Sequence, residues 1–551
     1  MSEFAAVAAL RPILDHWKTL RPLPDLSVDD QFSYTEEVCA VTLWIHSTEL
    51  IRELARPGGE PLDAVLFGLG TAMARLGDPA GAAEVLSRAA EGIAAGVRPL
   101  AAVRVLNALG SAYFDLDEFG RAEDSYRRAL ALILARDPNT PKLAILQNNL
   151  ATCLSVTGRY DEAEHYYLES IRVLEHSDDA ELVDSASWLG AGVSRADLIG
   201  VRLHNLGEVH LQRSREADGP KEARELLMTA DQRFSEALTY YQHLDYRVNT
   251  RVFRAEVAVL AGRGPEADAT LAELEMIALQ DPVLHHQLPG IYRRRALASR
   301  SVGALYDALR HCRRALTTSL VHADRPEEKK IVDTFVDTMA AAHRRDPGID
   351  VRDQGAAARM AREFHDRYGD VVDDLIAFLE RKDWYTGRAH SRSVANVSKR
   401  VAEAVLSENP SAAIDLDVIS LSAMLHDVGK LRVPWALLNK ILPVRKDEFV
   451  ILKRHAIEGY NILNAIGLGP LAEIAGEHHE TVDGRGYPFG KTNPTLMGNI
   501  IALADAFEAM TTINRRWRPA KKKNEAVAEL VGLEGKWFYP EVARGVKKAL
   551  G

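Results

Sequence analysis

Between residues 60 and 320 apolar residues recur at spacings of three and four, alanine and leucine dominate, and strand-like alternation is almost absent. That period lays one apolar stripe along each segment, so the stretch reads as a succession of amphipathic α-helices. The pattern also repeats itself. "NALGSAYFDLDEFGRAEDSYRRAL", beginning at Asn107, sets out Leu109-Gly110, Tyr113, Phe119, Ala122, Tyr126 and Ala129 in order. "NNLATCLSVTGRYDEAEHYYLESI" follows with Leu150-Ala151, Gly158, Tyr160, Ala163, Tyr167 and Ser170. "FGLGTAMARLGDPAGAAEVLSRAA" is a weaker copy with Leu69-Gly70, and later copies are "HNLGEVHLQ", running through an insertion to "FSEAL", and "SVGALYDALRHCRRAL". A Gly or Ala where two helices cross lets them approach, and the aromatic residues fill the groove to the next pair.

Leu69, Leu109 and Leu150 lie 40 and 41 residues apart, longer than the usual repeat of about 34. The segment resembles the tetratricopeptide superfamily in a stretched form. That resemblance implies five to six stacked hairpins with a concave surface for a protein or peptide partner. The pattern fades beyond residue 320, Pro347-Gly348 marks a break, and residues 354–383 read as mostly helix, interrupted near Gly369. The expected order is an N-terminal helical segment (1–60), the repeats (61–320), a helical linker (321–383) and a C-terminal domain (384–551).

Composition changes this picture little. The chain is 47% hydrophobic and 26% charged, ordinary for a soluble protein. Its start is broken by Arg11, Asp15, His16 and Lys18, so no signal-peptide core is expected, and no run is long enough to insert in a membrane. Cys39, Cys153 and Cys312 are isolated from one another, which fits a reducing, cytoplasmic setting. Charge is more informative. Residues 381–551 hold 25 Lys/Arg against 19 Asp/Glu, while the preceding 380 hold 43 against 59. A basic domain within an acidic chain suits a small anionic substrate. No nucleic-acid polymer is expected as a partner, and a homodimer is left open.

The chemistry concentrates in that basic third. All five histidines beyond residue 380 (His390, His426, His455, His478, His479) sit beside other reactive groups. "LSAMLHDVGKLRVP" puts His426 next to Asp427, with Lys430 expected one helical turn on. Asp505, in "LADAFEAMTT", is an acid in an apolar helix, costly to bury unless paired or metal-bound. Imidazole and carboxylate donors together suit Fe or Mn better than Zn or Mg.

The motifs "HSRSVANVSKRVAEA", "LHDVGK", "VPWALLNK", "KRHAIEG", "HHETVDGRGYP" and "ALADAFEAMTT" resemble, in order, those of the HD-GYP subgroup of HD-domain phosphohydrolases. The resemblance implies an all-α chain: a tetratricopeptide-like solenoid followed by an all-helical HD-GYP domain. It implies hydrolysis of cyclic di-GMP to linear pGpG, cut onward to GMP by some relatives. The metal ligands it implies are His390, His426, Asp427, His455, His478, His479 and Asp505, with Asp427 bridging. Thr386 stands where some members place a glutamate for a third ion, so two ions, Fe or Mn, are expected. Asp427 and Lys430 would serve catalysis. Lys430, Gly486, Tyr487, Arg518 and Lys521 would touch substrate, with Gly484 and Gly486 hinging the loop. Arg518-Pro519 is displaced by about four residues from the family position, leaving Arg515 and Arg516 as substitutes, and Glu508 stands where aspartate is common. A cyclic-dinucleotide receptor with little turnover, or a hydrolase of another cyclic dinucleotide, stays open.

Overall fold

The computed structural model describes residues 79–92, 99–136, 140–177, 193–319, 325–344, 355–383, 389–433, 435–438, 446–512 and 520–551, together with 67, 70, 71 and 74. The expected segment 1–60 lies outside the described residues, as do Cys39, Pro347-Gly348, Thr386, Arg515, Arg516 and Arg518. The fold is all-α. Among the described residues no strand forms, and an isolated bridge joins Glu534 and Phe538. No helix among them is long and apolar enough to cross a membrane. Two compact units divide at Tyr246 and Arg247.

The first unit contains α1 (Pro79–Gly92), α2 (Pro99–Asp115), α3 (Phe119–Arg136), α4 (Pro141–Val156), α5 (Tyr160–His176), α6 (Arg195–Glu216) and α7 (Pro220–Tyr240). Several open on proline, which lacks the N–H that a first helical turn leaves unpaired. Helices α2 and α3, α4 and α5, and α6 and α7 pack as hairpins, and α3 meets α4 as α5 meets α6. The crossings explain the small residues of the repeat. A Cβ on Gly110 would stand 2.6 Å from the Tyr126 ring, and one on Gly207 would stand 2.6 Å from the Phe234 ring. Each ring enters the notch its partner helix leaves open. Tyrosine hydroxyls buried in this way are satisfied, Tyr126 by Ser111 at 3.2 Å and Tyr167 by Thr152 at 2.9 Å.

Helix α8 (Leu244–Leu260) leads into the second unit, followed by α9 (Gly264–Gln280), α10 (Leu288–Ser301), α11 (Leu305–Ser319), α12 (Arg325–Arg344) and α13 (Ala356–Lys382). Helices α10 and α11 form another hairpin, and α12 packs on both. Helix α13 bends at Tyr368 (φ −126°, ψ 15°), beside Gly369 where an interruption was expected. The remaining helices are α14 (His390–Glu408), α15 (Leu416–Leu425), the short α16 (Trp435–Leu438), α17 (Lys446–Ala465), α18 (Gly469–Gly476), α19 (Leu496–Thr511), α20 (Lys523–Val531) and α21 (Pro540–Leu550). One continuous apolar core runs from Val248 on α8 to Val546 on α21. Helix α13 belongs to that core, packing on α11 to one side and on α15 and α18 to the other. Cys153 and Cys312 are buried free thiols among apolar neighbours.

Gly110→Ala is expected to destabilise the first unit by about 1–3 kcal/mol through overpacking against Tyr126. Gly120→Ala, where a Cβ meets nothing within 4 Å, is expected to change stability by no more than about 1 kcal/mol. Urea unfolding of the two variants checks the contrast.

Candidate metal centre

Four helices and two turns bring the histidines together. Ala389 adopts the left-handed conformation (φ 74°) immediately before His390 opens α14. Helix α15 is capped by Asp415, whose carboxylate accepts from the Asp417 and Val418 amides at 3.0 Å each. It stops at Leu425, and Val428–Arg432 forms a tighter 3₁₀ turn. Lys430 therefore does not sit one α-turn above His426, as the sequence suggested, but three residues beyond Asp427 on this turn. Packing is the reason for the change. A Cβ on Gly429 would lie 1.9 Å from the His455 carbonyl oxygen, so α17 is seated directly against the turn. That seating brings His455 beside Asp427. His478 and His479 follow the end of α18, and Asp505 lies on α19.

The imidazoles are aimed by their outer nitrogens. Nδ1 of His426 lies 2.7 Å from the Ala423 carbonyl, that of His455 2.7 Å from Leu452, and that of His478 2.6 Å from Ala475. A carbonyl only accepts, so each Nδ1 carries the proton and each Nε2 presents a lone pair inward. His390 Nδ1 is held at 2.7 Å by Glu508. The inward nitrogens then have no ordinary partners. Nε2 of His390 and of His426 are buried without a hydrogen bond. His455 Nε2 faces His478 Nε2 at 3.1 Å, two lone pairs that repel unless a cation lies between them, and His479 Nε2 also lies 3.1 Å from His455 Nε2.

Two donor groups result, His455 with His478 and His479, and His390 with His426 and Asp505. Asp427 lies between them. Its Oδ2 is 3.5 Å from His390 Nε2 and 3.4 Å from His426 Nε2, while Oδ1 is 3.5 Å from His455 Nε2. All seven sequence-derived candidate ligands are thus in one place, and this donor set fits divalent transition cations. Charge supports the fit. Asp383 and Asp427 pair with Lys430, and Asp505 and Glu508 with His390, so carboxylates outnumber the charged bases here and would repel an anion until cations offset them.

Electrostatics follow from burial. Burial and the neighbouring imidazoles of His426 and His455 push His478 down to about 3. His479 is held well below the ordinary range by burial, His478 and His455, and His455 is lowered chiefly by burial. These rings stay neutral, as ligands must. Burial also opposes charge on His390, but Asp427, Glu508 and Asp505 outweigh it and hold that imidazole up at about 10. Burial would raise Asp427, yet Lys430, His426 and His390 keep it well below the usual carboxylate value.

The glycine-rich loop is built around two buried acids. Glu480 accepts the amides of Phe489, Gly490 and Lys491 at 2.6, 3.1 and 3.0 Å. Glu477 accepts the Thr495 amide and hydroxyl at 2.7 and 2.6 Å and pairs with Lys491 at 2.7 Å. Gly484 has φ +73°, and a Cβ on Gly486 would lie 2.5 Å from both Glu480 Cα and the His479 oxygen. The close approach Gly486 permits is therefore to the loop's own backbone. The Tyr487 ring stacks on His479 at 4.6 Å, with the Lys453 ammonium 4.7 Å from its centroid. Lys521 donates its backbone amide to Met510 and pairs its ammonium with Glu529. Sequence reasoning missed Asp383, which binds Lys430 at 2.7 Å, because no spacing connects them. It noted Glu508 only as a departure, although three residues after Asp505 places it on the same face of α19.

Residues 370–542 match the family described as HD domain, and residues 101–176 match that described as Tetratricopeptide repeat. A cyclic di-GMP phosphodiesterase of Thermotoga maritima is 35% identical over 201 residues, covering 34% of this chain and 52% of that protein. The cyclic di-GMP phosphodiesterase response regulator RpfG of Xanthomonas campestris pv. campestris is 32% identical over 200 residues, covering 35% of this chain and 47% of that protein. The 3'3'-cGAMP-specific phosphodiesterase 1 of Vibrio cholerae is 33% identical over 147 residues, covering 25% of this chain and 33% of that protein. The chain spans about half or less of the length of these curated relatives. It carries an HD domain and tetratricopeptide repeats.

Two outcomes are expected. Glu480→Gln weakens three charge-assisted bonds, so it should destabilise the second unit by about 1–3 kcal/mol and speed amide exchange at 489–491. Metal-free protein at pH 8 keeps His390 protonated, because that pH lies below its raised value of about 10. Loading with Mn(II) should then release about one proton, read by calorimetry in buffers of different ionisation enthalpy.

Proposed function

We propose that this chain hydrolyses a cyclic dinucleotide, cyclic di-GMP first, to the linear pGpG, with onward cleavage to GMP a secondary activity. The observation that carries it is Asp427, whose two oxygens face separate imidazole groups beside an ammonium. Names of the relatives that share the domain support the substrate class. His390, His426 and Asp505 would hold one ion, and His455, His478 and His479 a second, with Asp427 shared. Fe and Mn suit the donors best.

Divalent ions in such a site supply Lewis-acid polarisation of a phosphoryl oxygen and acidify water. The chain's own groups do the rest. Asp427 stays ionised because Lys430 lies 2.7 Å from it, so it accepts hydrogen bonds and never competes as an acid. Lys430 supplies a fixed positive charge where phosphoryl charge develops. Its placement costs no reorganisation, since Asp383 and Asp427 already hold it. Tyr487 closes the side next to His479, and the loop behind it is rigid because Glu480 and Glu477 bind its amides. Gly486, Arg518 and Lys521 belong to the proposed substrate wall, and the repeats to a proposed regulatory surface for a protein or peptide.

A second substrate is favoured by one observation, the comparable identity of the cGAMP-specific relatives. A side-by-side assay of cyclic dinucleotides with Mn(II) or Fe(II) decides. Linear product from cyclic di-GMP is expected, and none from any cyclic dinucleotide at full metal occupancy overturns the function. His478→Ala should lower bound metal and cut turnover by more than about 100-fold, with the first unit's unfolding unchanged.

A further inference from the structure

The second unit contains a chain of ion pairs that runs from the repeat-like helices to the metal centre. It begins on α10. Arg293 and Arg294 are buried and share Glu256 at 3.0 and 2.6 Å. The same guanidiniums reach Glu327 on α12 at 2.5 and 3.3 Å. The next residue, Glu328, pairs with Lys382 at 2.5 Å. Lys382 is the last residue of α13, only 2% exposed, and also donates to the Leu431 carbonyl at 2.7 Å. The residue after it, Asp383, binds Lys430 at 2.7 Å, and Lys430 binds Asp427 at 2.7 Å. Adjacent residues on α12 and at the end of α13 thus face successive partners. Outside this line, Arg432 bridges Asp333 on α12 at 3.0 Å and Glu458 on α17 at 3.4 Å, but its side chain is 40% exposed, so solvent weakens these pairs relative to the buried ones.

Burial gives this chain its force. An ammonium buried like that of Lys382 stays charged only while its carboxylate is within reach, and breaking one partner of such a pair is costly. The position of α12 is therefore transmitted to the 3₁₀ turn by groups that cannot relax independently into water. Apolar packing alone would let the turn slide; a lysine held between two carboxylates has one place to be. Asp383 reaches the centre through Lys430, which it binds at 2.7 Å.

We infer that Asp383 is a positioning residue for Lys430, and that the Glu328–Lys382 pair couples its placement to α12 and the α10–α11 hairpin. A partner that displaced α12 would reach the active site along this line. The inference rests on the proposed role of Lys430 at the phosphate, and deepens it by naming what sets the lysine.

The test uses the full chain, metal-loaded, with a non-hydrolysable phosphorothioate analogue of cyclic di-GMP. Asp383→Asn should weaken analogue binding by about 10-fold, and that loss should shrink to less than about 2-fold in a Lys430→Met background. Glu328→Gln should act in the same direction by about 3-fold or more. Because an unpaired buried lysine endangers folding, the double variant Glu328→Met/Lys382→Met removes both charges together and should retain the melting temperature while showing the same binding loss. Equal losses with and without Lys430, or unchanged affinity in the folded double variant, overturn the coupling. A second readout needs no nucleotide: acetic anhydride labelling of Lys430, followed by peptide mass spectrometry, should accelerate about 5-fold in Asp383→Asn. An unchanged labelling rate overturns the positioning role even if the enzyme hydrolyses cyclic di-GMP. Faster labelling with no nucleotide binding by the unmodified chain supports the positioning role and overturns only the proposed substrate.

Discussion

The Nδ1 hydrogen bonds of His426, His455 and His478 to carbonyls three residues earlier are the constraint on which the centre depends. Each bond uses a carbonyl that the end or interior of a helix makes available, and each turns the opposite nitrogen inward. His390 is the exception, tied to the Glu508 carboxylate instead, and it is the one ring pushed toward the protonated state. Burial keeps the His455 and His478 rings from charging, while the carboxylate-bound His390 carries a proton until something displaces it. One site therefore contains donors ready for a cation and one donor that must exchange a proton for it.

From that constraint the surrounding architecture follows. Helix α17 must seat against the 3₁₀ turn for His455 to reach Asp427, and only glycine at 429 leaves room. The loop from Glu480 to Lys491 must fold back on itself to place Tyr487 against His479, and a buried carboxylate with three amide partners closes it. None of these features is a local preference. They are close approaches of backbone to backbone, permitted by missing side chains and held by buried acids whose hydrogen bonds are complete.

The repeats obey a simpler rule. Their glycine and alanine notches receive rings from the partner helix, and the same notch recurs at Gly110 and Gly207. Helices α8 to α13 share one apolar core with the helices that carry the histidines. No composition break marks that continuity, since an apolar helix face looks alike whether it meets another repeat or a helix that carries a candidate ligand. What distinguishes the junction is charge, in the buried pairs of Arg293, Arg294, Glu327, Glu328 and Lys382.

By itself the sequence determined the helical character of the chain, the notch-and-ring repeat and the identities of seven clustered donors, because these depend on periodicity, residue size and ordered motifs. It could mark Asp505 as an acid out of place in an apolar helix. The tertiary structure alone decided that Lys430 sits on a 3₁₀ turn, that Gly486 approaches its own loop, that Tyr487 lies on His479, and that Asp383 and Glu508 belong to the site. Those placements come from contacts between residues 47 and 118 positions apart and from helices forced within backbone distance. Spacing along a chain predicts which residues share a helix face; it has no term for which faces meet.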